Sequence, residues 1–295
     1  MKNSRILFHL AITGGFAVLA AAGILYPFLP GEYDPLALGL SRTVQAAGLA
    51  GLLFVPTGAV WLVYELQMLA NGRNEPAKQT AKGYYFAAAA AVSTLLVMVV
   101  ISIAAVISAG FVFGLLIFAL CAFLISRAIT GLKQMRTDDA WEFNAVPVYM
   151  ILLPVFAVLL QLTAAASMTD FSRSRAIANS AELIRDLEAF YDAYGRYPRS
   201  LHAVWKDYSP GVIGVDQYHY AAGEEGYNLF FEQPRFLLDE LGVREFVVYN
   251  PENQQMMISH DAWILNVPPE ELDRAQGWYA VHDSTWPHWK YFWFD

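Results

Sequence analysis

The stretch LIRDLEAFYDAYGRYPRSL, residues 183–201, is where this chain stops reading as lipid-soluble helix and starts reading as a folded domain. Ile177, Ala181, Ile184, Leu187, Tyr191 and Tyr194 recur at three- and four-residue steps, the signature of one apolar helix face, and Leu183 and Phe190 widen it. Glu182, Arg185, Asp186, Glu188 and Asp192 fall on the other side. Gly195 follows as a left-handed terminator, and Pro198 keeps the helix from restarting. Tyr191, Tyr194, Gly195, Tyr197 and Pro198 thus form a structural joint in which the two tyrosines close the buried face. Ser200 is placed to cap a short helix carrying Leu201, Val204 and Trp205.

Upstream, the composition is that of a bilayer protein. The 295 residues are 56% hydrophobic and 16% charged, with a mean hydropathy of +0.35, which favours membrane spans over a large soluble core. Five apolar segments approach the roughly 20 residues needed to cross hydrocarbon: 6–29, 44–66, 85–107, 111–129 and 146–167. Only Ser108, Ala109 and Gly110 separate the third and fourth, which predicts a tight antiparallel hairpin. The first reads as a retained span, because its apolar run outlasts a signal peptide core. The expected organisation is a five-span all-α membrane bundle over 1–168 and an α+β domain over 169–295.

Charge sets the direction. Lys2, Arg5, Arg73, Lys78, Lys82, Arg127, Lys133 and Arg136 fall on one side of these spans and Arg42 alone on the other. The positive-inside rule therefore places the N-terminus in the cytoplasm and the C-terminal domain outside, periplasmic in a bacterial inner membrane. The part before Asp170 carries a net +2 and the rest a net −10. An acidic domain argues against nucleic acid as a partner.

Beyond residue 201 the chain reads as strands. Runs 215–223 and 226–233 flank Gly223-Glu224-Glu225-Gly226, a hairpin signal, and REFVVYN (244–250) leads into a Pro251-Glu252-Asn253 turn. QQMMISH (254–260), AWILNV (262–267), GWYAVHDS (277–284) and WKYFWFD (289–295) follow. One long helix over an antiparallel sheet is the expected domain fold.

LIRDLEAFYDAYGRYPRSLHAV (183–204) followed by YHYAAGEEGYNLFF (218–231) resembles the globular region of pilin-like proteins, nearest the major pseudopilin of type II secretion. The likeness covers 177–232 and implies a domain fold. It does not carry the family's processing or polymerisation: no basic leader precedes the fifth span, Glu142 lies before that span, and no pseudopilin calcium loop matches.

Intramembrane polar groups are His9, Glu65 and Gln161, with Pro56 and Pro154 as candidate kinks. His9 and Glu65 read as interfacial groups, or as a pair on neighbouring helices. Gly14-Gly15 and Ala87 to Ala91 offer smooth faces for close helix packing. Cys121 is the single cysteine, so no intrachain disulfide forms. His260-Asp261, His282-Asp283 and His288 are the available metal or acid–base groups, but neither HExxH nor paired ligand spacing accompanies them. No metal, cofactor or catalytic centre is expected. Trp286, Trp289, Tyr291 and Trp293 are candidates for partner contact or for core. The leading expectation is a non-enzymatic inner-membrane subunit that presents its domain to an envelope protein, or to a second copy, in a trans-envelope assembly. The alternatives are a small transporter or lipid-handling protein with the domain as a lid, and a periplasmic metal-dependent enzyme using those His and Asp residues.

Overall fold

The computed structural model describes residues 2–71, 76–137, 143–204, 206–222, 226–240, 243–255 and 279–294. The chain divides into two compact units. The first comprises Met1–Ile24 and Leu38–Thr163, the second Leu25–Ala37 and Ala164–Asp295.

The first unit is helical: α1 (Lys2–Leu25), α2 (Ala37–Gly51), α3 (Val55–Asn71), α4 (Pro76–Ala109), α5 (Phe111–Thr137) and the first half of α6 (Val146–Asn179). Among the described residues, four helical stretches are long and apolar enough to span a bilayer: Ala11–Phe28, Ala37–Ala70, Tyr84–Ala109 and Val146–Tyr194. They fit a multi-pass membrane protein. The apolar part of α5, Phe111–Arg127, is shorter. Gly110 alone turns the chain between α4 and α5, at φ +90°, while Ser108 and Ala109 remain helical. The second span is broken rather than straight. A 3-10 turn at Leu52–Phe54 separates α2 from α3, and Pro56 falls in the first turn of α3, where its missing N–H costs nothing. Pro154 lies inside α6 without ending it.

Close packing is carried by other glycines than Gly14 and Gly15, around which a Cβ would meet nothing within 4 Å. A Cβ at Gly48 would come 2.7 Å from that of Ala157, and one at Gly51 would come 2.8 Å from that of Pro154. Backbone-close contact between α2 and α6 therefore depends on these two positions.

The second unit contains the remainder of α6, α7 (Ala181–Tyr194), a 3-10 turn at Leu201–Val204, a four-residue helix α8 (Leu237–Glu240) and a sheet. Its strands are β1 (His219–Ala222), β2 (Tyr227–Gln233), β3 (Arg244–Tyr249), β4 (Tyr279–Asp283) and β5 (Trp289–Phe294). They form one small antiparallel sheet in the order β1-β2-β3-β5-β4. Runs 256–260 and 262–267, Trp205 and the hairpin tip at 223–225 lie outside the described residues. The helix expected to begin near Asp170 is a continuation of α6, and the break falls at Ser180, whose hydroxyl bonds back to the Ile177 carbonyl at 2.7 Å.

Leu229, Phe231, Val247 and Trp289 on one sheet face pack with Ala176, Ile177, Leu183 and Leu187. Phe230, Phe246, Val248, Phe292 and Phe294 are buried on the other face. Tyr191 and Tyr194, which the periodicity places on the buried stripe, are 43% and 68% exposed. Their inner faces are taken by local aromatic neighbours, Tyr197 and Phe190, each with centroids 4.5 Å apart. Gly195 ends α7 in the left-handed region at φ 69°, its N–H bonded to the Tyr191 carbonyl. Tyr197 and Tyr227 both donate to the Glu188 carboxylate, at 3.1 and 3.0 Å. Burial above all pushes both phenols above their ordinary range; the Glu188 charge comes second for Tyr197, and for Tyr227 it follows the neighbouring Tyr249.

The connection Leu25–Ala37 folds into this unit. Gly31 N donates to Gly211 O, Ile213 N to Leu29 O and Asp34 N to Ile213 O, at 3.0–3.1 Å. Phe28, fully buried, stacks on Phe236 at 4.4 Å.

Candidate functional site

The first unit contains a cavity of about 880 Å³, open to its surroundings over part of its wall and inside the 300–1,000 Å³ range of small-ligand sites. Five helices contribute to its wall. Small side chains line it: Ala47 from α2, and Ala87, Ala90 and Ala91 from α4. The alanine run expected to serve close helix packing instead lines open volume. Among the described residues no charged side chain lines the cavity. Along α4 the wall runs from Ala87 to Ile101, about 21 Å at 1.5 Å per residue.

Polar groups gather at one end. Trp61 on α3 lines the wall and donates its indole N–H to Glu65 Oε1 at 2.9 Å. Glu65, 2% exposed, also receives the Asn144 backbone N–H on Oε2 at 3.3 Å. Asn144 Oδ1 accepts the Val146 N–H at 2.9 Å and so caps the first turn of α6. Tyr149, one turn on, hydrogen-bonds through its hydroxyl to His9 Nδ1 at 2.5 Å. His9 and Glu65 thus have different partners, Tyr149 for the one and Trp61 with Asn144 for the other. Each of the two backs a residue of the cavity wall.

Gln161 is 1% exposed, next to the wall residues Ala157 and Gly48. Its Nε2 donates to Ala157 O and Gln45 O at 3.3 and 3.4 Å, and its Oε1 has no partner. A polar string continues from there, Gln45 Nε2 to Ser41 Oγ at 2.9 Å and Ser41 Oγ to Ile24 O at 2.6 Å.

In the second unit the described histidines do not converge. His282 lies against Trp293 with ring centroids 4.0 Å apart, and His288 is exposed at φ 66° beside Tyr249. Asp283 is exposed, and His260 and Asp261 lie outside the described residues. Among the described residues no three His, Cys, Asp or Glu side chains are grouped to hold a metal. The aromatic candidates separate too. Trp286 is 37% exposed and Trp289 is core, whereas Tyr291 and Trp293 carry the guanidinium groups of Arg173 and Arg235 over their rings at 4.1 and 4.3 Å. Those two arginines converge on Glu245, a fully buried carboxylate that also accepts the Trp293 indole N–H at 3.0 Å. This centre holds α6 to β3 and β5.

Sequence reasoning missed Trp61, Asn144 and Tyr149 as a group. The alanine and glycine steps on α2 and α4 were the available signal, but small residues look the same whether a neighbour helix or a void faces them. The chain matches no protein-family model, no curated protein and no solved structure.

Proposed function

We propose that this protein is a lipid-handling membrane protein whose helical bundle takes up a hydrophobic chain in the 880 Å³ cavity. The carrying observation is that cavity: apolar, uncharged along its wall, and polar at one end. A recess of this size, largely apolar with a few polar groups at one place, is the ordinary form of a small-ligand site. Mass spectrometry of organic extracts from the protein purified in mild detergent tests the reading. Wild type is expected to carry a chain-bearing lipid that Ala90→Phe, which fills the cavity, reduces about tenfold. Leu96→Phe, on the exposed side of α4, is expected to keep it. Equal lipid content in all of these would overturn the proposal.

The same reading places the protein in a bacterial inner membrane with five spans, a cytoplasmic N-terminus and a periplasmic domain. Parity supports the fifth span. The connection after α1 and the domain after α6 belong to one compact unit, so the chain between them crosses the bilayer an even number of times. α2 with α3, α4 and α6 supply three crossings, and α5 is the fourth. A Tyr33→Cys probe in that connection, in a Cys121→Ser background, is expected to react with an impermeant maleimide from the periplasm. Helix-on-sheet layering ended by Gly195 supports a pilin-like relationship for the domain.

A second reading, in which the domain is presented to an envelope protein, draws support from the exposed aromatic end of α7 at Tyr191 and Tyr194. Crosslinking of the full chain in membranes tests it. Loss of a specific adduct on Tyr194→Ala supports it, and an unchanged pattern counts against it.

A further inference from the structure

We infer that the ligand of this cavity is a long apolar chain bearing an uncharged carbonyl head, with the carbonyl oxygen seated at Asn144 and Tyr149. The inference rests on the chain-binding reading and adds the chemistry of the head. Most polar capacity at the polar end is already spent. The Trp61 indole N–H and the Asn144 backbone N–H both go to Glu65, and Asn144 Oδ1 is taken by the cap on Val146. What remains is the Asn144 side-chain Nδ2, a two-proton donor with no partner among the described residues, and the Tyr149 hydroxyl. When His9 Nδ1–H donates to the phenol oxygen, the phenol proton is free to point at a ligand. The end of the cavity is therefore a donor end, and its complement is an acceptor.

Charge excludes the other heads. Among the described residues no charged side chain lines the wall, so an ionised head would lose its hydration with none of them to offset it. A carboxylate or phosphate head would also face the Glu65 carboxylate directly behind Trp61. A cationic head would need that carboxylate, whose two oxygens are each engaged by a donor from the wall. The volume lies in the small-ligand range, and the 21 Å run along α4 fits one extended chain. An uncharged carbonyl on such a chain belongs to an isoprenoid quinone or to an ester of a long-chain acid, and both would make the same hydrogen bonds here.

The test is a thermal-shift titration of the full-length protein in detergent with four probes: decylubiquinone, monoolein, oleate and lysophosphatidylglycerol. Stabilisation grows by about 2.7 kcal/mol at a hundredfold excess over Kd, so binding is read directly as a rise in Tm. Decylubiquinone or monoolein is expected to raise Tm, and the one that does so identifies the source of the carbonyl; the two charged probes are expected to leave it unchanged. Asn144→Asp keeps an oxygen to cap Val146 and removes the donors, so it is expected to weaken the responding probe about tenfold or more. Ala90→Phe is expected to abolish the response. If oleate or lysophosphatidylglycerol stabilises as well as the neutral probes, or if Asn144→Asp binds them as wild type does, the carbonyl assignment is overturned while chain binding stands. If no probe shifts Tm and Ala90→Phe keeps the co-purifying lipid of wild type, both fall.

Discussion

Removing the Glu245 carboxylate should be among the most damaging single changes in the second unit. Glu245 is completely buried on β3. Arg173 reaches it from α6 through Nε at 2.9 Å and Nη2 at 2.5 Å, Arg235 through Nη1 at 3.2 Å, and Trp293 through its indole N–H at 3.0 Å. Glu245→Leu leaves two guanidinium groups, each about nine-tenths buried, facing a hydrocarbon side chain. Breaking a buried pair from one side costs about 3–5 kcal/mol, mostly because the partner charge is stranded. Asp170 retains its contact with Arg173 at 2.6 Å, but it is 70% exposed and offers little compensation to Arg235. At about 3–4 °C per kcal/mol for a domain of this size, the unit should melt roughly 10–20 °C lower. Intrinsic tryptophan fluorescence of the full chain during heating reads this, since Trp289 and Trp293 sit in the affected region. Glu232→Leu is the internal control: its pair with Arg244 has side chains 43% and 45% exposed, and its loss should cost no more than about 1 kcal/mol. Comparable shifts for the two variants would refute the reasoning. So would a Glu245→Leu protein that melts within about 1 kcal/mol of wild type.

The remaining expectations are narrower. Gly48→Ala should destabilise the bundle by about 1–3 kcal/mol in a detergent melt, because the new methyl meets Ala157, whereas Gly14→Ala, with open space around it, should be neutral or gain about 0.5–1 kcal/mol. Phe28→Ala should cost about 3–5 kcal/mol and, in hydrogen exchange, deprotect the amides of Gly31 and Asp34, which bond to Gly211 and Ile213. Protection that survives would show that Phe28 does not hold the connection. Burial against Phe230 keeps His219 below its ordinary value of 6.5, with Asp216 and Glu232 pulling the other way. The unfolded chain then binds the extra proton first, so stability is complete above pH 6.5 and falls as pH drops through the folded value. His219→Gln should flatten that part of the pH profile, and an unchanged slope would count against it.

Much of the architecture is local and could be read without coordinates. A long apolar run bounded by polar residues has no low-energy state in water, so the spanning helices follow from length and composition. The Gly110 turn and the Gly195 terminator follow from a glycine placed where only a left-handed backbone continues the chain. Short β-branched and aromatic runs in REFVVY and WKYFWF predict strands, and apolar residues on both faces predict that both faces are covered. Tyr191 and Tyr194 show the limit of periodicity. They share a stripe with Leu187, yet which turn of a helix lies over the sheet depends on where the strands are.

What the tertiary structure alone decides is what brings distant residues together. Glu245 and Arg173 stand 72 positions apart, and neither is marked locally as half of a buried centre. The connection Leu25–Ala37 reads as an ordinary loop until its backbone is found bonded to Gly211 and Ile213. The cavity is the clearest case. Its wall comes from five helices, and an alanine or glycine face encodes only the absence of bulk. Whether that absence is filled by a neighbouring helix or left as a chamber with Asn144 and Tyr149 at one end depends on how the helices cross, which no single segment specifies.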